Sequence, residues 1–225
     1  MHKLFLLIIL LPITLFTQSF NIEKVTGKVF VQKGMEEKWI TVKNGDKVSD
    51  DDLISTGNNS SVRFNRNGNS FLLKSNSAVN ISSIKSLSIN DLHLALTREE
   101  INRIPRQKNN PDIKTTAVYG AENNGRKDIP VIQSDLGKRK INGALQLAEA
   151  GFKESSVLVA METFRKYPET QLIISNRIYF ADLLEKLTLY EEAYKEYEKI
   201  LSMNLNPKDQ QRVKNKLEEL SKKIS

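Results

Sequence analysis

The chain has 225 residues, no cysteine and two histidines, with 34 Lys and Arg against 27 Asp and Glu, a formal charge of +7. Its length exceeds the ~100–200 residues of a usual domain and allows two small ones. The missing cysteine excludes disulfides, thiolate nucleophiles and cysteine metal sites together. Basic residues and aromatics do not cluster as a nucleic-acid surface requires, so no nucleic-acid partner is expected.

The N-terminus reads as an export signal. His2 and Lys3 precede an apolar run over residues 4–16, interrupted by Pro12. The run is shorter than the ~20 residues that span a bilayer comfortably. Thr17-Gln18-Ser19 offers a cleavage site, so residues 1–19 are assigned to a signal peptide. The alternative is an uncleaved anchor, the one route by which this reading brings the chain to a membrane. Lipid anchoring through an N-terminal cysteine is excluded by composition. Cleavage removes only the charge of Lys3, leaving a mature charge near +6, one less than +7.

Residues 25–81 read as short strands separated by turns. Val25, Gly27, Val29 and Val31 alternate with Thr26, Lys28, Phe30 and Gln32, a period of two. Trp39-Ile40-Thr41-Val42, Leu53-Ile54, Ser61-Val62-Arg63-Phe64, Phe71-Leu72-Leu73 and Val79-Asn80-Ile81 follow. Asn44-Gly45-Asp46, Thr56-Gly57-Asn58 and Asn67-Gly68-Asn69 supply residues that tolerate positive φ. This spacing predicts a compact all-β module. The order Val25-x-Gly27-x-Val29-x-Val31, Trp39, Val42-x-x-Gly45-x-x-Val48, Asp52-x-Ile54-x-Thr56-Gly57, Ser61-Val62-x-Phe64 and Ser75-Asn76-Ser77 resembles a FecR domain. Asn69-Ser70 departs from the turn usual there. The resemblance implies an extracytoplasmic binding or structural module without catalysis; some members regulate sigma factors.

Ile84, Leu87, Ile89, Leu92, Leu94 and Leu96 continue the apolar rhythm and predict one or two further strands, so the β domain is placed at residues 20–97. Thr97 with Glu100 three residues on resembles a capping box opening a short helix. Residues 98–140 are polar, basic and carry Pro105, Pro111 and Pro130, the composition of a linker. Within it, residues 112–120 resemble a segment that in FecR-type proteins returns to the β module as a late strand.

Residues 141–225 are predicted helical. Leu145, Leu147 and Ala148 mark one amphipathic helix, and Val157, Ala160, Met161 and Phe164 the next. Ile178, Phe180, Ala181 and Leu184 mark a third, and Tyr190, Ala193, Tyr194, Tyr197 and Leu201 a fourth. A fifth follows Pro207. Ala148 and Ala181, Ala160 and Ala193, and Phe164 and Tyr197 each pair at an offset of 33 residues, close to the ~34 of tetratricopeptide repeats. The region from 141 to 206 resembles that family, with Gly151, Leu184, Tyr167 and Ile200 departing from it. The fold class expected is thus α+β and multidomain: an all-β FecR-like module, then a helical-hairpin repeat.

Catalytic patterns are absent. Past the signal only His93 remains, read as a solvent-facing residue of a strand. There is no HExxH and no GxSxG. Asp50-Asp51-Asp52 lacks the spacing of an EF-hand and is read as a turn. Tyr190, Tyr194 and Tyr197 lie at i, i+4 and i+7, a core stripe. No cofactor and no metal are expected. The expected function is an exported, non-enzymatic binding or scaffold protein of the bacterial envelope, engaging a protein or peptide, with cell-wall contact left open. Repeat resemblance and register put Leu145, Glu149, Ile178, Asp182 and Glu185 on the partner-binding face. Two alternatives stand: an extracytoplasmic signalling regulator and a cell-wall hydrolase using two carboxylates.

Export has a direct test. Mass spectrometry of the mature chain should place its N-terminus near Phe20, outside the cytoplasm. A soluble cytoplasmic pool retaining Met1 would refute it.

Overall fold

A computed structural model describes residues 19–66, 68–103 and 135–225. Most of the expected signal peptide and the whole of residues 112–120 lie outside the described residues.

The N-terminal half holds β1 (Ser19–Thr26), β2 (Val29–Gln32), β3 (Trp39–Thr41), β4 (Lys47–Ser49), β5 (Leu53–Thr56), β6 (Ser61–Arg66), β7 (Asn69–Leu73) and β8 (Ala78–Asn80). They form two antiparallel four-stranded sheets, ordered β4-β1-β6-β7 and β3-β2-β5-β8. The inward positions of both sheets, including Phe20, Ile22, Val29, Val31, Ile54, Val62, Phe64 and Leu73, join in one apolar core. Phe64 stacks on Phe71 at 6.2 Å and meets Phe20 edge-on at 6.3 Å.

The alternation from Val25 to Val31 is not one strand. It breaks at Gly27, whose φ is +69 and where a Cβ would stand 2.4 Å from Ser60 Oγ. Only glycine combines that conformation with that approach. The chain leaves one sheet there and enters the other, so one continuous two-residue rhythm serves two layers.

The strands expected between Ile84 and Leu96 are replaced by a helix. Ser88 accepts a hydrogen bond from the Asp91 amide at 3.1 Å and donates to its carboxylate at 2.7 Å, capping α1 (Ile89–Arg103). Leu92 and Leu96, four apart, are buried, whereas Leu94 is 61% exposed. The apolar residues at 92, 94 and 96 fit both periods, and burial chose the helical one. Thr97 therefore lies inside the helix, donating to the His93 carbonyl at 3.0 Å. The β domain ends earlier than expected, and α1 occupies the first part of the expected linker.

Among the described residues five more helices follow: α2 (Leu136–Glu149), α3 (Lys153–Lys166), α4 (Ile174–Lys186), α5 (Tyr190–Leu201) and α6 (Pro207–Ile224). Gly151, at φ +93, turns the chain between α2 and α3. Asn206 caps α6 by accepting from the Asp209 amide at 2.9 Å, with Pro207 in the first turn. Ala144, Ala160, Ala181 and Ala193 are fully buried in a core that also takes Leu92 and Leu96 from α1. The spacing of the hairpins differs from 33 residues. Helices α3 and α5 start 37 residues apart (190 − 153), because the 3-10 turn Pro168–Leu172 lengthens the connection. Ala160 and Ala193 are both buried but stand at different depths along their helices.

The two halves are not beads on a string. Helix α2 lies against β8, and a Cβ on Gly143 would come within 2.0 Å of the Ala78 carbonyl oxygen. Around this approach the Arg139 guanidinium donates to the Thr56 carbonyl, and Asn142 to the Asn76 carbonyl at 2.8 Å. Gln146 accepts from the Lys74 amide and donates to Ser77 Oγ, both at 2.6 Å. Leu147 is buried in the β core, and the Phe152 ring meets Phe71 edge-on at 6.3 Å. Residues 136–140, expected in the linker, are part of α2.

Gly143→Ala should therefore push α2 off β8. Overpacking of this kind costs ~1–3 kcal/mol, which lowers the melting temperature by several degrees in a chain this size. Lys138→Ala, on the exposed side of the same helix, should leave it nearly unchanged. Calorimetry of the full chain checks both.

Candidate functional site

The structure closes much of the face predicted to bind a partner. Ile178 is 2% exposed and belongs to the core, so it cannot line an open groove. Leu145 is half-buried against the same core. Glu149 is exposed but bridges to Lys74 of the β half at 2.7 Å. Asp182 accepts from the Tyr197 hydroxyl and from Arg212 of α6. Glu185 holds Lys216 at 2.9 Å and Lys223 at 2.7 Å, both also from α6. Burial pushes the Glu185 carboxyl up, but the hydrogen bonds from Lys223 and Lys216 outweigh it and hold it below the usual range. Burial and the Asp182 hydrogen bond push the Tyr197 phenol up. Helix α6 thus covers Asp182 and Glu185, two of the three acids that the repeat register assigned to a partner.

The other residues singled out take structural places. Asp52 is buried and accepts from Lys33 Nζ at 2.7 Å, the Ser49 amide at 2.9 Å and the Gly34 amide at 3.3 Å. Such a carboxylate ties two loops to one point and is a turn, as its sequence context implied. Tyr197 is buried, and Tyr190 and Tyr194 pack half-buried against the core. Among the described residues, no group of three or more His, Asp or Glu side chains is placed to hold a metal ion.

A different site lies between α1 and α5. Leu92 and Leu96 anchor α1 on the helical core, bringing it alongside α5. The gap left between them is a cleft of about 80 Å³. Leu96, Met161 and Leu184 give it an apolar lining, and Glu100, Glu191, Glu192, Lys195 and Lys199 a charged one. His93, exposed on α1, sets Nε2 2.9 Å from Glu192 Oε1 across the gap. Lys199 Nζ lies 3.6 Å from Glu196 and 3.9 Å from Glu100, beyond good hydrogen-bond lengths. From outside the cleft, Arg165 holds Glu99 at 2.6 Å. Glu196 is buried, and Arg177, itself buried, pairs with it.

Sequence reasoning missed this cleft because it gave residues 89–96 to strands. The signal was present in Ser88-x-x-Asp91, a capping box, followed by Leu92 and Leu96 at helical spacing. For Glu196, between Lys195 and Tyr197, no local pattern marks the burial. It is buried because Arg177, nineteen residues earlier, meets it.

No protein family, curated protein or solved structure matches the chain. Among the described residues, no helix is long and apolar enough to cross a membrane.

The buried pair gives a sharp stability test. Glu196→Leu strands the Arg177 charge, a change that typically costs ~3–5 kcal/mol. Glu198→Leu, at an exposed position of the same helix, should shift stability by no more than ~0.5 kcal/mol. Denaturant titrations of the two variants should differ by most of that gap.

Proposed function

We propose that the chain is an exported, non-enzymatic binding or scaffold protein of the bacterial envelope, with a FecR-type β module and a tetratricopeptide-like helical half. The ordered motif from Val25 to Ser77 supports the first assignment. Antiparallel helix pairs with alanines fully buried between them support the second. The observation that carries the binding reading is the α1–α5 cleft, which combines an apolar floor with a charged mouth. Apolar pockets with a few convergent polar groups are where ligands bind. The docking face is then this cleft rather than the one covered by α6. Helix α2 serves as the rigid joint that fixes the cleft relative to the β module.

Site-specific photo-crosslinking in cells tests this. A photoreactive side chain at Thr97, on the cleft mouth, should yield a discrete adduct. The same group at Lys24, exposed on β1, should not. Equal labelling at both positions, or none at Thr97, would overturn the cleft as the binding site.

A further inference from the structure

We propose that the α1–α5 cleft receives one cationic side chain, lysine or arginine, presented by an extended segment of a partner protein. The inference rests on the binding role of the cleft argued above and specifies its ligand.

Size sets the first limit. The volume of about 80 Å³ holds several waters but falls far below the ~300–1,000 Å³ of cofactor and drug-sized sites. It fits one side chain. Chemistry sets the second. Leu96, Met161 and Leu184 offer an apolar bed, which suits the methylene stem of a long side chain. Glu100, Glu191 and Glu192 stand where the tip of that side chain would emerge. Glu191 has no ion-pair partner among the described residues, and Glu192 meets the His93 imidazole rather than a lysine or arginine. Counting Arg165 and Arg177 behind the walls, five glutamates face four cations, so the cleft keeps a net negative charge on a chain whose formal charge is +7. Lys199 shows what the site favours. Its ammonium stands 3.6 Å from Glu196 and 3.9 Å from Glu100, a cation set against these carboxylates. An acidic side chain would meet the reverse field, and a purely apolar one would leave the mouth carboxylates unanswered.

The test uses the full chain with isotope-labelled Met and Leu methyl groups. The probes are Nα-acetyl-lysine methylamide and its neutral isostere, Nα-acetyl-norleucine methylamide. The lysine probe should shift the methyl resonances of Leu96, Met161 and Leu184 saturably, with millimolar affinity that falls as salt is raised. Glu100→Gln and Glu191→Gln, both at exposed positions that leave folding intact, should each weaken it about threefold, the scale of an exposed ion pair. Norleucine binding at least as tight as lysine would overturn the cationic ligand while leaving the cleft as a binding site. No shift with either probe would overturn the inference as well, and the crosslinking at Thr97 then decides separately whether the cleft binds a partner at all.

Discussion

The arrangement of the whole chain depends on how closely α2 approaches β8. At Gly143 the helix backbone touches the strand, and any side chain there would strike the Ala78 carbonyl oxygen. Close approach alone gives little energy. It acts by bringing Arg139, Asn142 and Gln146 into hydrogen-bond range of the Thr56, Asn76, Lys74 and Ser77 groups of the β half. The backbone groups of Thr56, Lys74 and Asn76, near an edge strand, would otherwise need water or another chain. Covering an edge with a helix is one of the ways proteins keep sheets from pairing with their neighbours. Leu147 completes the joint by entering the β core from the helical side.

Charge is handled locally among the described residues, where many cations sit against nearby acids. Arg177 answers Glu196, Arg165 answers Glu99, and Lys216 and Lys223 share Glu185. The exposed pairs contribute little to stability. The Arg177–Glu196 pair is different, since both groups are buried, and the Phe164 ring lies 5.7 Å from the guanidinium. Replacing one member leaves the other charged and dry, so the pair fixes how α4 and α5 face each other more than it raises stability.

Much of this was legible in the chain. The β half announced itself through Asn-Gly turns and alternating Val, Ile and Phe, because a two-residue rhythm needs no knowledge of what lies across the core. The helical hairpins were visible in the alanines and aromatics at helical spacing. What sequence could not show was choice between equal patterns. Leu92, Leu94 and Leu96 satisfy strand and helix alike, and the Ser88 cap before them together with the core beside α3 decides for the helix. Gly27 likewise looked like one position in a strand until Ser60 and Asn59 stood behind it. The covering of Asp182 and Glu185 was hidden for a related reason. A repeat register says which residues point the same way, but not that α6 will lie over them.

Helix α1 has a consequence for how such a chain can be cut and recombined. It precedes residues 104–134, yet its buried leucines belong to the core built after them. The cleft is therefore not built from one contiguous stretch of gene. A graft of residues 141–225 onto another protein would carry α5 and its glutamates but leave behind Leu96, His93 and Glu100, and would also cut into α2. Only an exchange that moves both stretches together transfers the cleft.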